Sequence, residues 1–311
     1  MFMLIHLIYH IYVYLNPQYY SIKFLKKEDR RDIMYHFSKK LKLAFAAALC
    51  GISLCAITPA KPAQASTTAR IVLPIKHGYT RANILKINNG NYSVKHKLAK
   101  ASKIGMKENQ YTDTNPADNR TVDLKHLSNN DKVMFSKYTL DLINQGRRQF
   151  KQPKWYYTKS AQRFANRVAT QYTKNNRSCW DADHYVPGIL RAAKASGLNY
   201  HAGQIYEDEA GLPWASDKIT GSVAKISDVK EGLYFNIKQM FFGGYYGNNV
   251  NDLSHYTEWE HAGDLLSARN NYLKKKQYGF SFSFNTDPHK ISTHFISVHK
   301  NFIQNYKKYN H

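Results

Sequence analysis

The hydrophobic residues of this chain change period once, and that change limits the folds open to it. Val133, Met134, Tyr138, Leu142 and Ile143 recur at helical spacing, the i, i+3, i+4 pattern of an amphipathic helix. Near the other end, 278–284 and 293–298 are short aromatic and β-branched runs separated by Asn285-Thr286-Asp287-Pro288, which predicts a β-hairpin. Helices first and strands weighted to the C-terminus imply an α+β domain over residues 127–311.

Local signals fill in that outline. Ser128 followed by Asp131 reads as an N-cap with its capping-box partner, and Gly146 is a C-cap candidate. Ser160 can cap a second helix, whose apolar stripe is Ala161, Phe164, Ala165, Val168, Ala169 and Tyr172. A short helix over 189–195 closes at Gly197, a third long helix spans 228–242, and another short one spans 259–268. Residues 203–211, Gly-Gln-Ile-Tyr-Glu-Asp-Glu-Ala-Gly, read as an acidic turn in an otherwise basic chain.

The 311 residues carry 45 Lys+Arg against 22 Asp+Glu, a formal charge of +23. A field of that sign favours polyanions. Three cysteines, two of them inside an apolar segment, exclude a disulfide framework.

The N-terminus narrows the choice of polyanion. From Met34 the sequence reads as a secretory signal: Lys39, Lys40 and Lys42, then the apolar stretch 41–57, then Ala63-Gln64-Ala65 as a cleavage site, with cutting after Ala65. The apolar run is short for a bilayer span, and no membrane span is expected in the mature form. Residues 1–33 fit no part of an export signal and are expected to be upstream DNA read in frame, a mis-assigned start ahead of Met34. Arg30-Arg31 can be encoded by a ribosome-binding sequence, and other arginine codons in the gene would remove that argument. Residues 66–311 keep 36 Lys+Arg and 19 Asp+Glu, or +17. An exported basic chain meets anionic cell-wall polymers and surface components, so the expected location is extracellular and wall-associated, and nucleic acid is not expected as a partner. Residues 66–107 hold nine Lys/Arg and no acid. Residues 66–126 therefore read as a basic, low-structure linker or arm, with a short strand near Ile71.

One cluster could carry chemistry, Arg177-Ser178-Cys179-Trp180-Asp181-Ala182-Asp183-His184. Cys179 is a nucleophile if His184 lowers its pKa, yet Trp180 beside it suggests a packed, inert thiol. Tyr156-Tyr157 and Tyr245-Tyr246 could stack on sugar rings, although core packing is the commoner use.

Taken together, five segments resemble the surface exclusion proteins of lactobacilli and enterococci (SEC10/PgrA type). Those belong to the CAP superfamily of secreted cysteine-rich-secretory, antigen 5 and pathogenesis-related proteins. The segments are Tyr138-x-x-x-Leu142-Ile143-Asn144-x-x-Arg147, the Phe164-Ala165 helix, the cluster ending at His184, Gly203-Gln204-x-Tyr206-Glu207-Asp208-Glu209-x-Gly211, and Glu260-His261-Ala262-x-x-Leu265-Leu266. The resemblance implies an α/β/α sandwich with an open cleft lined by two histidines and two acids. His184 maps onto the first histidine and His261 onto the second, with His255 as the alternate. Where the family places a glutamate this chain has Gln204, so Glu207, with Asp208 after it, is the expected replacement. Glu260 is the candidate second carboxylate, and Glu209 and Glu258 are further alternates.

Two imidazoles with carboxylates could hold a divalent metal such as zinc through His184 and His261; hydrogen-bonded His–Glu pairs bracing the cleft walls are the other outcome. The reading that follows is a secreted surface protein, non-catalytic, active in surface exclusion or in wall and cell–cell contacts. A metal-assisted hydrolase working through the His184/His261 cleft on wall, peptide or lipid substrate is the alternative.

Overall fold

A computed structural model describes residues 69–311 except 113–114, 182, 213–218, 220, 245–248 and 270–273. The signal segment, the cleavage position at Ala65, the 1–33 segment and Tyr245-Tyr246 lie outside the described residues. The helices are α1 (Arg81–Asn88), α2 (Lys95–Glu108), α3 (Asn129–Gln149), α4 (Lys159–Lys174), α5 (Val186–Ala195), α6 (Ile226–Phe241), α7 (Glu260–Leu265) and α8 (Tyr306–Asn310). The strands are β1 (Thr121–Asp123), β2 (Tyr156–Tyr157), β3 (Glu207–Gly211), β4 (Val223–Lys225), β5 (Gln277–Phe284) and β6 (Ile291–Val298). Among the described residues no helix is long and apolar enough to cross a membrane.

A four-stranded sheet in the order β2-β5-β6-β3 forms the middle layer. β5 and β6 are the expected hairpin, antiparallel from Gln277↔Val298 to Phe284↔Ile291. Strand alternation sends Tyr278, Phe280, Phe282 and Phe295 into one core with α3 and α6. Ile296 and Val298 enter a second core with Phe164, Val168 and Tyr172 of α4 and Ile189 of α5. The result is an α/β/α sandwich with an apolar layer on each sheet face. α4 lies close on the sheet because β5 has Gly279 there: a Cβ at that position would stand 2.5 Å from the Ala161 main chain.

Helix signals were local and mostly hold, with two shifts. Ser128 caps α3, its Oγ accepting from the Asp131 N–H at 3.1 Å. The α4 cap is Thr158, whose Oγ1 accepts from the Ala161 N–H, and Ser160 falls inside the first turn. Gly146 does not end α3, which runs on to Gln149. Its missing side chain instead lets Phe241 and Leu266 close over the helix, each within 3 Å of where a Cβ would stand.

The largest departure concerns residues 69–126, which are folded rather than a low-structure arm. α2 buries Leu98, Ala101, Ser102, Gly105 and Met106 at helical spacing and turns its lysines outward. Ala69–Leu73 forms no strand. The side-chain amides of α3 take over its hydrogen bonding: Gln145 accepts from Ile71 N–H at 2.9 Å and Gln149 from Leu73 N–H at 2.8 Å. Lys238 of α6 donates to the carbonyls of Met106 and Asn109 at the C-terminal end of α2, where a cation satisfies unpaired carbonyls. A run of lysines without acids hides this packing because the apolar side of α2 is narrow.

Candidate functional site

The acidic segment expected as a turn is the edge strand β3. Gln204, standing where a glutamate was expected, arranges its start: Oε1 accepts from Tyr206 and Glu207 N–H at 2.9 and 3.0 Å, and Nε2 donates to the Glu207 carbonyl at 2.7 Å. From there β3 pairs antiparallel with β6, Glu207 opposite Ile296, Asp208 opposite Phe295 and Glu209 opposite His294. Side chains alternate across a strand, so Glu207 and Glu209 share the α4 side of the sheet, and Asp208 takes the other.

On the α4 side Glu207 is fully buried and uses both oxygens. Oε2 lies 2.8 Å from His184 Nδ1 and accepts from the Tyr172 hydroxyl at 2.8 Å, while Oε1 lies 2.7 Å from His294 Nδ1. The His294 ring continues the chain, its Nε2 2.7 Å from Ser283 Oγ. The Tyr172 hydroxyl also accepts from the Tyr185 N–H at 2.7 Å, which fixes the loop carrying His184. Burial works against the Glu207 charge, but the two imidazoles outweigh it and hold its carboxyl below the usual range. Glu209 differs. Its Oε1 lies 3.4 Å from His184 Nδ1, and its buried Oε2 has no hydrogen-bond partner among the described residues. Burial, then the neighbouring Glu207 charge, push it up to about 7. Burial also disfavours charged His184, yet its bond to Glu207 and the nearby carboxylates raise its pKa above the ordinary histidine value.

On the other side His261 Nδ1 lies 2.9 Å from Asp208 Oδ1. Burial is again outweighed, here by that bond and by the charges of Glu258, Asp208 and Asp264, and His261 is pushed up to about 9. Glu258 Oε2 accepts from the Glu260 N–H at 2.6 Å, while its buried Oε1 has no partner among the described residues. Burial raises the Glu258 pKa. Lys276, buried between the sheet and Trp155, donates to Ser297 Oγ at 3.1 Å.

His184, Glu207, Asp208, Glu258, Glu260 and His261 line one cleft of about 690 Å³ over the start of β3. Glu260 stands at its rim, exposed and 3.4 Å from Arg269, and takes no part in the His261 pair. His255 lies outside the cleft lining, 3.7 Å from Asp252. The Cys179 thiol is pushed up to about 12, chiefly by burial, and Trp180 covers Gly211, where a Cβ would stand 2.3 Å from the indole. Neither lines the cleft. The pairing of Asp208 with His261 and the part played by His294 went unforeseen. Asp208 is separated from its partner by 53 residues, and His294 is a polar residue in a strand buried on both faces. The signal for His294 was that β6 spends an alternate core position on an imidazole.

Ligand atoms of His184, Glu207 and Glu209 lie within 4.8 Å of one another, a grouping able to hold a cation. The unpartnered Glu209 Oε2 fits such an ion, and His261 is not part of the group.

No protein-family profile matches the sequence, and no curated protein does either. Among solved structures, the CAP domain of Enterococcal PrgA is similar with a TM-score of 0.58 at 20% identity, covering 78% of this chain and 90% of that one. At that identity the likeness is one of fold, and the fold here is CAP-like α+β. The overlap is longer than residues 127–311 alone could supply, so it reaches N-terminal of residue 127.

Proposed function

We propose that this is a secreted CAP-like protein of the cell surface that acts by binding, in surface exclusion or in wall and cell–cell contacts, and not by catalysis. The observation that carries the reading is the state of the cleft imidazoles. Each is tied through Nδ1 to a buried carboxylate and has its pKa raised, His261 to about 9. A general base must be neutral near the working pH, and these carboxylates favour the charged form. The two hydroxyls of the described lining are engaged: the Tyr206 hydroxyl donates to the Asn199 carbonyl at 2.6 Å, and Ser297 Oγ accepts from Lys276 at 3.1 Å.

The +17 charge of residues 66–311 supports retention on anionic wall polymers. Purified protein mixed with Gram-positive cell walls should sediment with them at low salt and be released near 1 M salt, where the Debye length is about 3 Å. Protein that ignores the walls at low salt overturns surface retention, and protein that resists the salt wash overturns its electrostatic basis.

A metal-assisted hydrolase is the second reading, favoured by the grouping of His184, Glu207 and Glu209 and by the unpartnered Glu209 oxygen. A divalent ion held there would lower the pKa of a bound water. His261, across β3, would supply or hold a proton at its Nε2. Metal analysis of the purified protein beside His184→Ala and His261→Ala decides: no metal and no hydrolysis of wall, peptide or lipid substrates removes this reading.

A further inference from the structure

The sheet has a second edge, and it is open. β2 pairs only Tyr156 with Gln277 and Tyr157 with Tyr278. Beyond Tyr278, β5 continues to Phe284 with β6 on one side and no strand on the other among the described residues. The direction of its main-chain groups follows from their partners. The Tyr278 carbonyl accepts from Thr158 N–H at 3.3 Å, the Phe280 carbonyl accepts from Gln162 Nε2 at 2.6 Å, and the Phe284 N–H donates to Thr173 Oγ1 at 3.1 Å. Even-numbered residues of β5 therefore face outward. Phe282, between them, directs its N–H and C=O the same way and has no partner for either among the described residues.

This edge opens into a groove of about 810 Å³ between α3 and α4. Leu127 and Phe135 give it an apolar patch on the α3 side, and its α4 wall is polar, with Asn166 and Thr170. Lys125, Lys132 and Lys174 stand along it, and none of its lining residues is acidic. An unpaired strand edge is a template for another strand, and side-chain pockets beside it select which one.

We infer that this groove receives an extended acidic peptide, which adds to the sheet as a strand beside β5. The peptide's main chain pairs with Phe282. Its apolar side chains face Leu127 and Phe135, its alternate carboxylates face the α4 wall that carries Lys174, and Lys125 and Lys132 add to the positive field of the groove. The open edge accommodates roughly five residues of extended chain. This site lies at the opposite sheet edge from the cleft and does not depend on the cleft's role.

The probe is a ten-residue peptide alternating valine and glutamate, titrated into the full exported chain and followed by fluorescence anisotropy and amide hydrogen exchange. Binding is expected to protect the Phe282 amide. It should weaken at least about tenfold, the equivalent of one decade in Kd, in the double variant Lys132→Glu, Lys174→Glu, whose fold is verified by its unchanged melting curve. A matched valine–lysine peptide should not bind. Two further peptides are N-methylated at all valines or at all glutamates, each blocking one edge; one of the two should lose binding and the other keep it. Equal binding of both overturns strand addition, leaving charge attraction alone. Undiminished binding by the double variant overturns the groove as its location, and no binding at millimolar peptide overturns the proposal outright.

Discussion

His184–Glu207 and His261–Asp208 are the same chemical pair built twice, on opposite faces of β3, and they differ in how many partners share the carboxylate. Glu207 is fully buried and serves two imidazoles and a tyrosine, with both oxygens bonded. Asp208 serves one imidazole that is 22% exposed, among carboxylates with raised pKa values. The pleat alone separates the two, since neighbouring residues of one strand look in opposite directions. A short acidic run can thus brace a core on one side and charge a cleft wall on the other. The contrast teaches that a carboxylate–imidazole distance does not reveal a role; how many partners compete for the carboxylate does.

The largest test of this difference is stability. Glu207→Ala strands His184, His294 and Tyr172 without their acceptor and is expected to cost about 3–5 kcal/mol, the usual loss on breaking a buried ionic pair. Asp208→Ala should cost about 1–3 kcal/mol. Urea unfolding of both variants compares them directly, and equal losses would erase the distinction.

Metal affinity comes next. If the cleft takes zinc, calorimetric titration should show binding weakened about 10–100-fold or more by His184→Ala and unchanged by His261→Ala; the reverse pattern would move the site to the other face of β3.

Stability against pH separates the faces again. His261 is raised from 6.5 to about 9. Its contribution is fully present below about pH 6.5 and is lost as pH rises through 9; Asp208→Asn should narrow that window, leaving what Glu258 and Asp264 supply. Glu209 is raised from 4.5 to about 7, so its contribution is present at low pH and disappears between those values; Glu209→Gln should remove that window alone. The smallest effect belongs to Glu260→Gln, expected within about 0.5 kcal/mol of the parent because its side chain is 66% exposed beside Arg269.

Where structure is set by neighbours in sequence, it was legible. The Ser128 cap, the helical stripe of α4 and the β5–β6 hairpin all announce themselves within a few residues. β3 was not legible, because Glu-Asp-Glu disfavours a strand on its own; pairing with β6 and burial against two imidazoles impose it. The cleft was half legible. His184, Glu207 and His261 line it as the motifs suggested, whereas Asp208 and His294 acquire their roles only through contacts 53 and 87 residues away in sequence.

The folding of residues 69–126 bears on where the gene should be cut. A fragment begun at residue 127, the boundary that charge suggests, would leave Gln145 and Gln149 without the main chain they bind, Trp259 Nε1 without Ser102 Oγ, and Phe242 without the Gly105 turn it packs on. Such a fragment should aggregate. Ala69, the first described residue, is already buried. The lysines of α2 are thus carried on a folded surface.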